Sequence, residues 1–358
     1  MSVLVDGHLD LAFNWICFGR DPRRSALETR RREGDLANEL YRGRCMVGRD
    51  EMRRGRVAMV FPTIFLAPKR TGFQPGDPAR VTYETPQEAH RFGRLQLDHY
   101  RELHDDPESG FTLVGNRADL ARVLKTWDGD AVGEIGCVPL MEGADPIRTP
   151  EELPEWFEAG LRIVGLAWRG TRYSGGTGEP GPLTSAGREL VPAIFENDLI
   201  LDLSHAAEES FFEALDLGEG AVIASHSNPR AICDTDRQLS DEMIRAIAAR
   251  HGVIGSVPFD LMLMRGWRDV GKPAIPLSRV AEAMHHTAQV AGTHEVVAVG
   301  SDFDGGFGAD EAPTGLDTIA DLPRLADPLN DLGFSDDEIR DMLGRNWIRF
   351  LERALPAS

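Results

Sequence analysis

Four short apolar runs in this chain are closely followed by residues of the types that bind metal ions. A short apolar run that ends in such a residue is typical of a buried parallel strand whose carboxyl end faces a site. In α/β barrels, several strands supply side chains to that face at once. The runs are residues 3–5 before His8 and Asp10, 138–141 before Glu142, 199–203 before His205, and 221–224 before His226. The pattern predicts a parallel α/β fold in which these side chains converge.

Eight candidate strands alternate with helical or loop stretches. They are predicted at residues 2–8, 57–66, 134–142, 161–168, 199–205, 221–226, 252–259 and 295–302. Eight strands alternating with helices predict an α/β protein, a closed (β/α)8 TIM barrel with right-handed crossovers. A doubly wound open sheet is the alternative. It would have to bring ligands from the first and last strands together, which a closed barrel does automatically.

The stretches between the strands show helical periodicity or unusual length. Helices are predicted at residues 86–103, 184–197, 208–215, 241–249, 277–291 and 335–354. Thr184 and Ser240 stand where a side-chain oxygen can cap the following helix. Segments 18–56 and 67–85 are long insertions after the first and second strands. We expect these βα insertions to build the walls or lid of a substrate site.

Size and charge narrow the class of protein. Barrels reach 358 residues as one unit, so residues 1–358 are expected to form a single (β/α)8 domain. A net charge of −19 argues against a nucleic-acid or anionic-membrane partner, which needs a basic patch. No apolar stretch approaches the ~20 residues that span a bilayer, and the amino terminus lacks the basic region of a signal peptide. With four scattered cysteines, these features predict a cytoplasmic protein.

The five ligand-type residues predict a centre for two metal ions. His8 and Asp10 point the same way because strand side chains alternate with a period of two. Isolated histidines are more often structural, but five ligand-type residues at strand ends are hard to explain in that way. Only a carboxylate can bridge two cations, so Glu142 is the natural shared ligand. One ion is then bound by His8, Asp10 and Glu142 and the other by Glu142, His205 and His226.

Imidazole and carboxylate ligands suit zinc, and also manganese or cobalt. A bridging carboxylated lysine is not expected, because Lys69, Lys125 and Lys272 all lie away from the predicted strand ends. Two cations ~3.5–4 Å apart would share a hydroxide and polarise a carbonyl. Asp302, at the end of the eighth strand, is the candidate proton carrier for a leaving nitrogen. Asp304 follows with the same orientation, and an Asp-Gly turn is the structural alternative for this pair. Asp302 and Glu142 are therefore the predicted catalytic residues.

Seven motifs along the chain combine into a specific pattern. They are residues 6–11, 142–143, 201–205, 225–228, 236–241, 300–305 and 343–346. In this combination the chain resembles the membrane dipeptidase (renal dipeptidase) family, peptidase family M19. The resemblance implies a metal-dependent hydrolase barrel with two zinc ions per chain, which cleaves dipeptides, in many members with a D-residue second. It implies the same five ligands and the same role for Asp302, and it matches Arg237 to the arginine that binds the substrate carboxylate.

The chain departs from the family pattern at the end of the fourth strand. Many members carry a histidine there that contacts the substrate carbonyl oxygen, whereas this chain has Trp168. Arg169, Arg172 or Tyr173 in the next loop can supply a substitute donor. Trp168, Arg169 and Tyr173 are therefore predicted substrate contacts. This difference affects which substrate is expected, and it changes none of the predicted metal ligands.

Three functions stay open from the sequence. A cytoplasmic zinc metallodipeptidase, acting on small dipeptide substrates, is favoured. The second is a related binuclear metallohydrolase of another small amide, N-acyl amino acid, lactone or β-lactam. The third is a catalytically silent barrel used for binding, against which the complete ligand set argues. Pairing of barrels into a homodimer through their loop faces is a further expectation.

Overall fold

The computed structural model describes residues 3–76 and 80–357 and contains a closed barrel of eight parallel strands. The barrel strands are β1 (Leu4–Leu9), β2 (Val57–Phe65), β3 (Leu140–Glu142), β4 (Ile163–Gly165), β5 (Ile200–Asp202), β6 (Val222–Ala224), β7 (Val253–Ser256) and β8 (Val297–Val299). β1 pairs with β2 through Leu4 and Val57, and with β8 through Asp6 and Val299. The first and last strands are therefore neighbours, and the (β/α)8 fold expected from the sequence is confirmed.

The predicted third strand is divided into two pieces. Ile135–Cys137 pairs with the first half of β2, and β3 pairs with the second half. Pro139 lies between the pieces and has no backbone N–H to donate to a neighbouring strand. Its carbonyl instead accepts from the backbone N–H groups of Arg162 and Ile163, at 3.1 and 3.2 Å. A further strand, Phe111–Leu113, pairs with Ile135–Cys137 at the edge of the sheet.

Helices follow most of the barrel strands. The α-helices are Leu11–Phe18, Ala26–Glu33, Arg49–Arg54, Pro86–Asp105, Arg117–Lys125, Leu153–Glu158, Ser185–Glu196, Glu208–Asp216, Asp241–Ala249, Asp260–Leu263, Ser278–Ala291, Ala326–Asp331, Asp336–Arg340 and Asn346–Ala354. Thr184 and Ser240 cap their helices as predicted, accepting from the N–H groups of Gly187 and Met243 at 3.1 and 3.3 Å. Within the described ranges, no helix is long and apolar enough to cross a membrane.

The segments predicted as insertions have structure of their own. Segment 18–56 contains two of the α-helices above, and segment 67–85 contains the short parallel pair Ala67–Pro68 and Thr82–Tyr83. Residues 77–79 of the second insertion lie outside the described residues, as do 1–2 and 358. The loop after β4 forms an antiparallel hairpin of Ser174–Gly176 and Glu179–Leu183. These segments surround the carboxyl-terminal face of the barrel.

The opposite end of the barrel is filled by apolar side chains and covered by the last helix. One buried cluster contains an apolar residue from every barrel strand together with Trp347 and Phe350. The indole N–H of Trp347 donates to the carbonyl of Val299 at 2.8 Å. A Cβ atom at Gly7 would lie only 2.6 Å from the Trp347 ring, so the strand needs glycine there. Because this end is closed, a cavity can open only at the carboxyl ends of the strands.

His99 is a buried histidine on the helix Pro86–Asp105, which follows the second insertion. Its ring stacks on Trp15 with 3.9 Å between centroids, and among the described residues neither ring nitrogen has a hydrogen-bond partner. Burial lowers the pKa of His99 from 6.5 to about 4, so stability is lost as the pH falls through this range. Between pH 7 and pH 4.5, the free energy of unfolding should fall by about 2 kcal/mol less in His99→Phe than in the unchanged protein. Urea unfolding at both pH values measures it, and equal losses in the two proteins would contradict it.

Candidate metal centre

The carboxyl ends of four strands bring the five predicted ligands together. His8 lies near the end of β1 and Asp10 follows that strand, Glu142 ends β3, and His205 and His226 follow β5 and β6. Side-chain ligand atoms of His8, Asp10 and Glu142 lie within 4.8 Å of one another, and so do those of Glu142, His205 and His226. The two groups share Glu142. The sequence predicts that each of these two groups binds one metal ion.

Three imidazole rings surround the carboxylate of Glu142. Nε2 of His205 and Nε2 of His226 lie 3.0 and 3.5 Å from Oε1, and Nε2 of His8 lies 3.4 Å from Oε2. The rings of His8 and His226 are stacked with 3.6 Å between centroids. The two carboxylate oxygens therefore face different imidazoles, which is the arrangement that a bridging carboxylate requires.

Hydrogen bonds on the far side of the rings set their tautomers. Ser225 Oγ donates its single proton to the carboxylate of Asp202 at 2.6 Å. Its oxygen can then only accept from Nδ1–H of His8 at 3.1 Å and from Nδ1–H of His226 at 2.8 Å. With Nδ1–H engaged in this way, Nε2 of each ring is the nitrogen that faces Glu142 and could bind a cation. Such outer hydrogen bonds are what orients histidine ligands in metal sites.

The donor atoms fit divalent cations better than they fit one another. Nε2 of His8 is buried and has no hydrogen-bond partner among the described residues. Native proteins rarely leave a buried polar atom in that state. Nε2 of His205 and Nε2 of His226 face each other at 3.1 Å, and a cation bound between them and Glu142 would satisfy both lone pairs. Nitrogen and carboxylate oxygen together suit zinc, manganese or cobalt.

Electrostatics favour positive charge at the centre. Burial lowers the pKa of His205 to about 4 and that of His226 well below its usual value, so both rings are neutral, as metal ligands must be. At His8, burial is outweighed by the charge of Glu142, which raises the pKa of the ring to about 9. Despite its burial, Glu142 has a pKa well below its usual value because of His8 and the other two rings. A cation bound by His8 and Glu142 would take the place of the proton on His8.

Strained backbone conformations occur at the ends of the strands that carry the site. His205 and Asp302 have φ angles of 63° and 56°, in the left-handed region that few non-glycine residues occupy. Gly143, directly after Glu142, has a φ of 83°. Such strain persists only where the surrounding structure enforces it, and it is concentrated at functional sites. Here it occurs at His205 and Asp302, shortly after the ends of β5 and β8.

A cavity of about 560 Å³ opens above the ligands, and Asp302 and Arg237 both line it. Burial raises the pKa of the Asp302 carboxyl well above its usual value; the charge of His8 opposes this rise and that of Asp10 adds to it. Arg237 donates to the carbonyl of His226 at 2.6 Å and to Ser227 Oγ at 3.0 Å. Among the described residues it has no carboxylate partner. Both predicted residues can therefore reach a molecule bound at the ligands.

The three other predicted substrate contacts are placed differently from one another. Trp168 and Arg169 line the cavity, and the guanidinium of Arg169 lies over the Trp168 ring, 5.5 Å from its centroid. Tyr173 is buried, and its hydroxyl donates to the carbonyl of Ile147 instead. The structure thus brings Trp168 and Arg169 to the site and leaves Tyr173 apart from it.

Asp304 does not join Asp302 in the cavity. Its carboxylate accepts from the backbone N–H groups of Met46 and Val47, at 2.9 and 3.0 Å, and it pairs with Arg20 at 3.4 Å. These contacts fasten the first insertion to the end of β8. Asp304 therefore positions the wall of the cavity and does not face its interior.

Sequence reasoning missed the carboxylates that support the ligands. Asp202 accepts from the backbone N–H and the hydroxyl of Ser225, and Asp6 accepts from the same two groups of Ser301. Asp6 also accepts from the backbone N–H of His8 at 3.2 Å. Both aspartates are almost fully buried. A charged residue inside an otherwise apolar strand was the signal that could have revealed them.

A closed barrel with imidazole and carboxylate ligands gathered at its catalytic face is the architecture of a metallohydrolase. Residues 1–357 of the chain match the family described as membrane dipeptidase (peptidase family M19). The chain belongs to this family and is a hydrolase of the metallodipeptidase type. The resemblance drawn from the seven motifs is thereby confirmed.

The chain is also similar to individual proteins in sequence and in fold. The chain is 32% identical over 290 residues to "Uncharacterized protein in pqqA 5'region" of Klebsiella pneumoniae, covering 78% of this chain and 97% of that protein. It is 28% identical over 251 residues to dipeptidase verJ of Clonostachys rogersoniana, with coverages of 67% and 62%. A solved metallopeptidase from Rhodobacter sphaeroides, liganded with a phosphinate mimic of the dipeptide L-Ala-D-Ala, is similar in fold, with a TM-score of 0.78 and 23% identity over 99% of this chain and 100% of that one.

Proposed function

We propose that this chain is a binuclear zinc metallodipeptidase that hydrolyses the amide bond of dipeptides, including those with an L-residue followed by a D-residue. The observation that carries the proposal is the position of Glu142, whose two oxygens face three imidazole nitrogens at 3.0–3.5 Å. One carboxylate that belongs to both ligand groups supports two cations. The ligand types support zinc, with manganese or cobalt as alternatives.

When bound, the two cations supply an activated water and polarise the carbonyl of the substrate. The protein residues orient the substrate and move protons around that event. Asp302 lines the cavity beside the ligands, and its raised pKa favours a carboxyl group that holds a proton. It can then pass that proton to the leaving nitrogen, as a general acid does. Asp202 and Ser225 keep His8 and His226 in the tautomer that ligation needs.

Arg237 binds the carboxylate of the substrate in this proposal. Two of its N–H groups are engaged by Ser227 and by the carbonyl of His226, and the others remain available. A guanidinium without a protein carboxylate partner, facing a metal site, favours an anionic ligand group. The Rhodobacter sphaeroides metallopeptidase, which binds a mimic of L-Ala-D-Ala, supports a dipeptide with a D-residue at its second position.

Trp168 favours one alternative, a hydrolase of the same family with another substrate. Its indole has a single donor and much more bulk than the family histidine, and it lines the cavity. Another small amide, an N-acyl amino acid, a lactone or a β-lactam would then be cleaved by the same centre. A panel of L-Xaa-D-Xaa and L-Xaa-L-Xaa dipeptides, assayed beside these compounds on zinc-loaded protein, separates the two functions. Turnover of the alternatives without turnover of any dipeptide would contradict the proposal.

Replacing Arg237 by methionine tests its role in binding the substrate. We expect kcat/KM for dipeptides to fall about 100-fold, chiefly through KM, because a desolvated carboxylate loses its charged partner. Zinc content should remain unchanged, since Arg237 is not among the ligands. Steady-state kinetics with Arg245→Met as a matched control, an exposed arginine on Asp241–Ala249, measures the effect. An unchanged KM in Arg237→Met would remove Arg237 from the binding site.

A further inference from the structure

We infer that the substrate residue on the amino side of the cleaved bond carries a large apolar side chain, preferably an aromatic ring, and that Trp168 and three phenylalanines bind it. This inference rests on the proposed dipeptidase function and adds the substrate class. The three phenylalanines are Phe13, Phe65 and Phe73, and together with Trp168 they form the aromatic wall. All four residues line the same cavity as Asp10 and Glu142.

The aromatic wall is a packed unit assembled from separate parts of the chain. Phe65 lies 5.1 Å from Trp168 and 5.6 Å from Phe13 between ring centroids, in edge-to-face contacts, and Phe73 lies 5.4 Å from Trp168. These are the spacings and orientations that aromatic pairs prefer. Phe13 follows β1, Phe65 ends β2 and Phe73 lies in the insertion after it, and Trp168 follows β4. The ends of three strands on one side of the barrel therefore supply a single apolar surface. A surface held in this way can receive another ring without rearranging.

The order of the strands places the wall at the amino-side residue of the substrate. Arg237 follows β6, and β6 lies opposite β2 in the ring of eight strands. A dipeptide whose carboxylate binds Arg237 therefore has its second residue on the β6 side. Because each residue spans at most ~3.6 Å, the scissile carbonyl then lies over the metal ligands and the first side chain reaches toward β2. That is the side on which the aromatic wall stands.

The charges around the cavity agree with an apolar side chain at this position. Four carboxylates line the cavity: Asp10 and Glu142 are predicted metal ligands, Asp302 is the predicted proton donor, and Asp236 follows β6 beside Arg237. No member of the aromatic wall is charged. A cation lies against the wall, because the guanidinium of Arg169 is positioned over the Trp168 ring. A lysine or arginine side chain of the substrate would meet this cation and lose its water without gaining a carboxylate. Dipeptides whose first residue is lysine or arginine are therefore expected to be poor substrates.

A dipeptide series on the zinc-loaded full-length protein tests the inference. We expect kcat/KM for L-Phe-D-Ala to exceed that for L-Ala-D-Ala by about 10- to 100-fold, the effect of filling an apolar pocket. L-Lys-D-Ala should be poorer than L-Ala-D-Ala, and L-Ala-D-Phe should gain little. Equal kcat/KM values across the series would overturn the inference while leaving the dipeptidase function intact.

Variants connect the preference to the aromatic wall. Trp168→Ala and the milder Phe73→Leu should each reduce the ratio of L-Phe-D-Ala to L-Ala-D-Ala turnover by about 10-fold. Phe259→Leu, which changes a cavity aromatic outside the wall, should keep the ratio. An unchanged ratio in both wall variants would overturn the assignment. If no dipeptide is cleaved, the proposed function fails, and calorimetric binding of L-Phe-D-Ala and L-Ala-D-Ala still tests the wall, since equal affinities would contradict it.

Discussion

Replacing Glu142 by glutamine is expected to leave fewer than two metal ions per chain and to lower kcat/KM for dipeptides by about 1,000-fold or more. An amide carries no charge and cannot bridge two cations with two equivalent oxygens. Three imidazole nitrogens within 3.5 Å of the side chain would lose their common partner. Metal content by mass spectrometry and steady-state kinetics on the same preparation measure both effects.

Glu51→Gln is the matched control for this substitution. Glu51 is also buried and accepts hydrogen bonds from Ser25 and from the N–H of Ala26, but it belongs to neither group of predicted metal ligands. We expect this variant to be less stable and to keep its full metal content. Two ions per chain and normal turnover in Glu142→Gln would show that Glu142 is not the shared ligand.

Replacing Asp302 by asparagine is expected to lower kcat by about 100- to 10,000-fold and to change KM little. Asparagine keeps the size of the side chain and its left-handed backbone conformation, which asparagine tolerates well. It removes the proton that the leaving nitrogen needs. Because Asp302 is not among the grouped metal ligands, the ion content should stay the same.

Asp310→Asn serves as the control, since Asp310 is exposed and pairs with Arg44. Substrates with a better leaving group extend the test, because they need less help from a proton donor. The loss of activity in Asp302→Asn should therefore be smaller for an ester than for the matching amide. Equal losses for the two substrates would assign Asp302 a structural role, and loss of metal would make it a ligand.

The fold could be predicted from the sequence because each buried strand corresponds to a short apolar run. The convergence of His8, Glu142, His205 and His226 could also be predicted, since the carboxyl ends of parallel strands share one face. The exact strand ends were not readable in this way. His205 and Asp302 lie past the last paired residues of β5 and β8. Their φ angles of 63° and 56° cannot be predicted from a pattern of apolar residues.

Features that depend on tertiary contacts could not be predicted from the sequence either. Pro139 divides the third strand, because a proline cannot donate to a neighbouring strand in the middle of a sheet. Tyr173 follows Trp168 closely in the chain, yet its hydroxyl binds the carbonyl of Ile147 and not the cavity. The hydrogen bond between His8 and Ser225 joins residues that are 217 positions apart in the chain. Only the closed barrel brings such groups together.

The most direct test of a shared Glu142 is anomalous diffraction from crystals of the zinc-loaded protein. Our account predicts two peaks ~3.5–4 Å apart, one bound by His8, Asp10 and Glu142 and the other by Glu142, His205 and His226. The carboxylate oxygens of Glu142 should lie ~2.0–2.2 Å from one ion each. A single peak, or two peaks of which only one contacts Glu142, would contradict the account.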